Sequence, residues 1–569
     1  TSSRSLPPGH VTDMTVRPGL FAALFWLVLL VASGGRAETP DAALETLLGE
    51  ARSAAAAPGA CSQPGLDRLV RLYCTGKIRI GVREYYPLFG TREGQERLGY
   101  DVDVGRAMAK RLDVEPEFTR VNAASRIPLL ADDKIDLTIA TMGHNAQRDS
   151  QVRFIRPHYY QSETTLVGPK SLDIKGWSDV ANRTICVTVG NGSNAQIVAH
   201  NARLMLFDEA GVLPDRLRDD ICTLAAQDDS FFAYYFTDPR FADRFDQKFG
   251  FAQVPWGMAV APSGSDRLAR ALDLISQIFL RDGVFLRIAQ ENRIGTAFLE
   301  RQREVWNRPD CNTATGSKDR ACVLPALTAE LEPTPFAARV AAFEDWIEDR
   351  LGIDLQLPMF KTMPAWQLFK DGIANSLILV GDALAATLLF ALLLGAAQSA
   401  RLAVVRWPAR TLTVILQSSP VVLTLVISAA VAHALFPYSS AVAIGAAIVA
   451  LGLMNGSNAG QAIAEAMQSL RTEQGGGAAS VATGLYGRAV SRSATQIVSF
   501  LINAAKGTPI ASFIGAPELL SALTDITSFA SGRASTYSLL LVFYIAVVIV
   551  VVWLCGKLRL WLERRQVAA

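Results

Sequence analysis

Apolar residues in this chain follow two regimes. Between residues 77 and 298 they form short runs alternating with amphipathic stretches, and from about 373 onward they form long blocks. In the first regime Ile78-Arg79-Ile80-Gly81-Val82, Ile135-Asp136-Leu137-Thr138-Ile139-Ala140 and Thr184-Ile185-Cys186-Val187-Thr188-Val189 read as strands, and 102–112 reads as an amphipathic helix. Strands alternating with helices predict an α/β fold. Because the series begins again near Thr184, it predicts two lobes with a cleft between them. The second regime holds five apolar blocks, 373–397, 412–435, 441–454, 495–514 and 538–554, and predicts an all-α membrane region of about five helices. The third and fourth blocks are short or broken by polar residues, as in helices that face a pathway.

These regimes divide the chain. Met14, Arg17, the apolar run 20–31 and Gly35-Arg36-Ala37 predict upstream residues and a signal peptide over 1–37. Residues 38–76 read as an Ala-rich tether with a disulfide, 77–298 as the two-lobed unit with its second lobe at about 168–255, and 299–371 as an extracytoplasmic connector with a helix near 336–350. Residues 372–569 form the membrane region.

Composition adds to this division. The 569 residues are 50% hydrophobic with a formal net charge of +2, which points to a mixture of soluble and membrane parts and gives no sign of a nucleic-acid partner. Basic residues cluster at Arg401, Arg406 and Arg410, at Arg471, Arg488 and Arg492, and in the tail at Lys557, Arg559, Arg564 and Arg565. The positive-inside rule then places the C-terminus in the cytoplasm and the two-lobed unit outside a bacterial plasma membrane. Six of the seven cysteines precede the membrane region. Neighbours pair as Cys61 with Cys74, Cys186 with Cys222 and Cys311 with Cys322, one of the fifteen pairings that six cysteines allow. No C-x-x-C occurs, so disulfides are expected rather than a metal site.

A free amino acid carries a carboxylate and an ammonium at fixed spacing, so a site for it needs a forked cation and an acceptor. Composition alone does not choose among the arginines. Gly99-Tyr100-Asp101-Val102-Asp103 with Ala107-Met108-Ala109-Lys110, then Ser125-Arg126-Ile127-Pro128-Leu129-Leu130, Asp136 to Thr141 and Arg148, resemble in order the family 3 periplasmic solute-binding proteins, which bind polar amino acids. The resemblance implies a two-lobed type II periplasmic-binding fold. It also implies that Arg148 holds the ligand carboxylate with help from Thr141 and Gly143, and that Asn191 to Ser193 adds donors. By the same resemblance Asp228, with Asp229 as alternate, accepts the ammonium, and Tyr86 and Phe89 cover the ligand. Arg83 and Arg126 resemble the acidic-ligand subgroup, with surface or interlobe ion pairs as the other reading. No catalytic constellation is implied.

In the membrane region Ala478-Ala479-Ser480 and Gly484, within a cytoplasmic loop at 471–492, resemble the ATPase-coupling loop of permeases in ATP-binding-cassette importers. Phe513-Ile514-Gly515-Ala516-Pro517-Glu518-Leu519-Leu520 resembles the end of an amino-acid permease, and Gln417-Ser418-Ser419-Pro420 a permease turn. Where that family's coupling motif leads with Glu this chain has Ala478, preceded by three glycines. The alternative is therefore a ligand-sensing membrane receptor with degenerate coupling. Asp382, Asn455, Asn458 and Lys506 are the polar residues within the spans, and Asp382 is the one expected to face a pathway or a dimer partner, with a helix end in water as the other reading. With no P-loop sequence, no cofactor is expected in this chain. The resemblance implies a separate ABC ATPase subunit that uses ATP, a homodimer or paired permease, surrounding membrane lipid and an amino-acid ligand.

Overall fold

The computed structural model describes residues 38–567 except 182, 327–330, 437–439, 474–481 and 531. The expected signal segment, and Ala478, Ala479 and Ser480 of the expected coupling loop, lie outside the described residues.

Residues 38–76 differ from the tether expected of them. They hold α1 (Pro40–Ala56) and α2 (Arg68–Thr75), built into the first lobe. Leu44, Leu48 and Ala51 recur at i, i+4 and i+7 and are fully buried, so an alanine-rich sequence of high helix propensity carries one apolar stripe. Asp67 caps α2 by accepting from the Leu69 and Val70 amides at 3.0 and 3.3 Å. A Cys61–Cys74 disulfide closes the segment.

The first lobe is a five-stranded sheet. Its strands are β1 (Lys77–Val82), β2 (Glu115–Arg120), β3 (Leu137–Thr138), β4 (Arg153–Phe154) and, after a long excursion, a return strand Ala259–Val260. Strand β1 lies between β2 and β3, parallel to both, and the return strand runs antiparallel to β3 and β4. Helix α3 (Tyr100–Leu112) packs Val104 and Met108 on the sheet.

The excursion is the second lobe, made of β5 (Tyr160–Pro169), β6 (Thr184–Thr188), β7 (Arg203–Phe207), β8 (Leu224–Asp228) and β9 (Phe245–Trp256). Their order is β7-β6-β8-β5-β9, with β5 antiparallel to both neighbours. The chain crosses between the lobes twice, and the two crossings meet where Trp256 pairs with Tyr160. The Cys186–Cys222 disulfide joins β6 to the turn before β8. After the return strand, written β10 from here, α4 (Asp266–Arg281) closes the first lobe with Leu268, Leu272 and Ile275 buried, and α1 packs on it.

The connector contains α5 (Ala337–Leu351), close to the expected 336–350. Glu344 on that helix accepts from the Leu357 amide at 2.6 Å and pairs with Lys361 at 2.5 Å, folding the connector back on itself. Cys311 and Cys322 form the third disulfide.

The last part is helical: α6 (Met363–Gln398), α7 (Ala403–Ser418), α8 (Val421–Leu435), α9 (Ser440–Glu473), α10 (Ala482–Arg492), α11 (Ala494–Gly507), α12 (Leu519–Phe529) and α13 (Arg533–Val567). Among the described residues four helices are long and apolar enough to cross a membrane, or five spans if the bent pair α7 and α8 counts as one. The single crossing expected at 412–435 is thus two helices 117° apart, broken at Ser419 and Pro420, because proline lacks the N–H that would continue the ladder. The block expected to stop near Met454 runs on to Glu473. Asn455, Ser457 and Asn458 return their side chains to carbonyls of their own helix at 2.8–3.0 Å, so these polar residues do not end it. Helix α12 was not expected.

Helices α6 and α9 run parallel and touch through glycines. A Cβ at Gly456 would lie 2.6 Å from the Phe390 Cβ and 2.8 Å from the Thr387 carbonyl oxygen, and one at Gly460 2.9 Å from the Gly395 nitrogen. With Gly452 these form a small-residue stripe at four-residue spacing that lets two backbones meet.

Candidate functional site

Between the lobes lies a cavity with an empty volume of about 450 Å³. The first lobe contributes Arg83, Arg126, Thr141, Gly143 and Arg148; the second contributes Thr188, Asn191, Ser193, Gln227 and Asp228. Eight of the ten residues expected at a ligand therefore converge on one space.

Each arginine is carried between strands of the first lobe, Arg83 directly after β1, Arg126 after β2 and Arg148 on the turn Ala146–Ser150 before β4. Arg83 is 3% exposed and donates from Nη1 to Thr141 Oγ1 at 3.3 Å, while its Nε and Nη2 are buried with no hydrogen-bond partner among the described residues. Arg126 opens the helix Arg126–Ala131 and donates from Nη1 to the carbonyls of Ala140 at 2.5 Å and Thr141 at 3.1 Å; its Nε is also unpartnered. Arg148 donates to the Gly143 carbonyl at 2.5 Å and, across the cleft, to the Gly190 carbonyl at 2.8 Å. Burial brings the Arg148 guanidinium down to about 10, still charged at neutral pH. Burial, then the charges of Arg148 and Arg83, pull Arg126 well below its ordinary value. Three guanidinium groups so placed repel one another, and an anion between them would relieve both the repulsion and the unpartnered N–H groups.

One carboxylate faces them. Asp228 ends β8, is 8% exposed and accepts from the Tyr86 hydroxyl at 2.6 Å. Burial pushes its carboxyl up to about 6, against the Tyr86 hydrogen bond. Asp229 is turned away, its Oδ1 taken by Ser162 Oγ and by the amides of Glu163 and Ser230. In the second lobe Asn191 donates to Gln227 Oε1 at 3.1 Å and accepts from the Ser193 hydroxyl at 3.0 Å, while Gln227 donates to Thr188 Oγ1 at 3.1 Å. The wall is a closed polar network.

Backbone geometry brings the lobes together. Gly190 has φ +79°, and a Cβ there would lie 2.7 Å from the Ala123 carbonyl oxygen of the opposite lobe. Thr141 holds φ +47°, a strained value for a β-branched residue. Its amide donates to Asp101 Oδ2 and to the Tyr159 hydroxyl, both at 3.1 Å, which fixes it. Burial raises Asp101 to about 8, so this support has its own titration.

The expected aromatic cover is different. Neither Tyr86 nor Phe89 lines the cavity; both are fully buried. Phe89 packs on Trp256 and Tyr160 with ring centroids 5.1 and 5.2 Å apart, inside the hydrophobic core, and Tyr86 acts through its hydroxyl on Asp228. The lining aromatic is Trp256, joined by Asn145, Thr164 and Val254. Asn145 lies within the expected run from Thr141 to Arg148 and caps the turn that carries Arg148, whereas Thr164, Val254 and Trp256 stand in no local motif, because the strands that cross between the lobes deliver them.

The site's second-lobe loop also touches the helical half. The Gly190 amide donates to the Ser528 carbonyl at 3.0 Å, and Asn194 Nδ2 donates to Ser528 Oγ at 3.3 Å. Leu368 of α6 and Phe529 of α12 pack against the second lobe's core. Asp382 and Lys506 are exposed on α6 and α11, Asn455 is half-buried, and Gly484 is exposed on α10. These do not join the cavity.

Residues 78–297 match the family model of bacterial extracellular solute-binding proteins, family 3. That part of the chain is a domain of this family, followed by a helical region with four to five apolar candidate spans. The arginine-binding extracellular protein ArtP of Bacillus subtilis is 29% identical over 115 residues, 20% of this chain and 45% of that protein. The ABC transporter glutamine-binding protein GlnH of the same organism is 24% identical over 282 residues, 46% of this chain and 90% of that protein. The L-glutamate/L-aspartate-binding protein of Pseudomonas aeruginosa is 28% identical over 138 residues, 22% and 45% of the two chains. The chain thus spans about half the length of most of these relatives. The crystal structure of the cysteine-binding protein from Campylobacter jejuni superposes with a TM-score of 0.37 at 22% identity, covering 40% of this chain and 93% of that one.

Proposed function

We propose that this chain is the substrate-binding and permease subunit of an ABC importer for an acidic L-amino acid, with glutamate and aspartate as the ligands to which the cleft is matched. One observation carries the reading: three buried guanidinium groups, two of them with N–H donors that lack a partner among the described residues, face a buried carboxylate in one cavity. Arg148 takes the α-carboxylate and Asp228 the α-ammonium. Arg83 and Arg126 are left for a side-chain carboxylate, and a neutral side chain would leave them unpaired.

The binding domain stands outside the membrane and the basic tail inside. Ligand closes the lobes and the Gly190 loop carries the closed state to α12 through Ser528. A separate ATPase supplies energy through the loop at 471–492, and two copies of the chain, or one with a second permease, form the pathway. Calorimetric titration of the full-length chain in detergent with the twenty amino acids tests the ligand. Glutamate and aspartate bind at least tenfold more tightly than glutamine, arginine or histidine; tighter binding of any of those three overturns the acidic assignment.

A further inference from the structure

Beneath the second lobe a solvent-open cavity separates it from α6 and α12, with an empty volume of about 1590 Å³ that extends into open solvent. Its charged lining is Asp371, Asp525, Glu332 and Arg203, three carboxylates to one guanidinium. The cleft carries the reverse balance, so the two spaces suit ligands of opposite sign. Asp525 is 6% exposed and opens on this cavity. Arg203 acts on it only at a distance, and among the described residues no hydrogen bond reaches its carboxylate. An ionised carboxylate so buried is costly unless a cation or donors meet it.

Two lining groups, one near Asp525 in the chain and one across on α6, are acceptors as well. Ser521 lies one turn before Asp525 on the same face of α12 and lines the cavity. Asn375 of α6 donates its Nδ2 to the Pro517 carbonyl at 2.8 Å, which leaves the amide oxygen to accept. A carboxylate, a hydroxyl and an amide oxygen around one space match the three N–H donors of a primary ammonium.

We propose that this cavity is a second ligand site, centred on Asp525, for a small cation of the primary ammonium class. It is independent of the amino-acid cleft and holds whatever the cleft binds.

The test uses the full-length chain in lipid nanodiscs and reads the thermal unfolding midpoint. Methylammonium chloride is the probe, with sodium chloride and choline chloride at equal ionic strength as comparators. Methylammonium raises the midpoint saturably and the comparators do not, since choline has no N–H to donate. Asp525→Asn weakens half-saturation by tenfold or more while glutamate binding in the cleft stays within twofold. If Asp525→Asn fails to fold, Asn375→Ala replaces it and weakens half-saturation at least threefold. An equal saturable response to sodium overturns the ammonium assignment. No saturable response in the wild type, or one that the variant leaves unchanged, overturns the site.

Discussion

The two halves of the molecule are held together by different physics. In the two-lobed half the large apolar side chains are inside: Trp256, Tyr86, Phe89 and Phe231 are at most 1% exposed. The hydrophobic effect supplies the cohesion, and a few buried charges are left for recognition. In the helical half Leu377, Ile378, Leu389 and Leu393 of α6 are each at least half exposed, as suits a surface facing lipid. In the membrane setting proposed for this half, apolar area gains nothing by moving from lipid to protein, and cohesion comes from the backbone approach that Gly452, Gly456 and Gly460 permit. A buried charge in the first half and a missing Cβ in the second hold equivalent places. Replacing each should damage one half and spare the other.

The largest effect is expected at the cleft. Arg148→Ala removes the donor to both the Gly143 and Gly190 carbonyls and the proposed partner of the ligand carboxylate. Truncating one member of a buried charge pair costs about 2–5 kcal/mol, so glutamate affinity by calorimetry should fall by roughly thirtyfold to several thousandfold. The unfolding of the helical half should not change.

The reciprocal change is Gly456→Leu. Its first side-chain carbon already meets Phe390 and the Thr387 carbonyl within 3 Å, so α6 and α9 must separate. Overpacking of this kind costs about 1–3 kcal/mol. Thermal unfolding in detergent should show a lower midpoint for the helical half with glutamate affinity intact. A loss of affinity equal to that of Arg148→Ala would mean that the halves do not divide the work in this way.

How far each half could be read in the sequence follows the same division. The cleft arginines and Asp228 sit in ordered motifs at strand ends, and the fold gathers them because strand ends converge. Trp256 could not be found in this way, since its place depends on β9 crossing between lobes with a register set by Tyr160. Alanine richness hides α1, because its packing face is Leu44, Leu48 and Ala51 flanked by small alanines and Leu47, a stripe with little contrast to the rest of the run. In the helical half, block length is the signal, and it misplaces the end of α9 because self-bonded Asn455 and Asn458 read as an interruption. Pro420 marked the break between α7 and α8, within a turn already recognised as one, yet apolarity continued through it and the two helices read as one.

The smallest effect is a titration, and it separates recognition from stability inside the first half. Burial raises the Asp228 carboxyl from 3.8 to about 6 in the folded chain. The unfolded chain ionises first, so between those two values rising pH costs the folded state stability; below 3.8 both states are protonated and the difference vanishes. Binding of an ammonium runs the other way, because it needs the ionised form. Glutamate affinity should fall about fivefold from pH 6 to pH 5, above the ligand's own side-chain titration near 4.3, and Asp228→Asn should bind weakly with no such slope. Tyr86→Phe removes the 2.6 Å hydrogen bond that favours the carboxylate, so its midpoint should move to higher pH while the direction of the slope persists. Calorimetry across pH 5 to 7.5 on the three proteins distinguishes these outcomes. A slope that survives Asp228→Asn would move the titrating group to Asp101, whose carboxyl burial raises to about 8 behind Thr141.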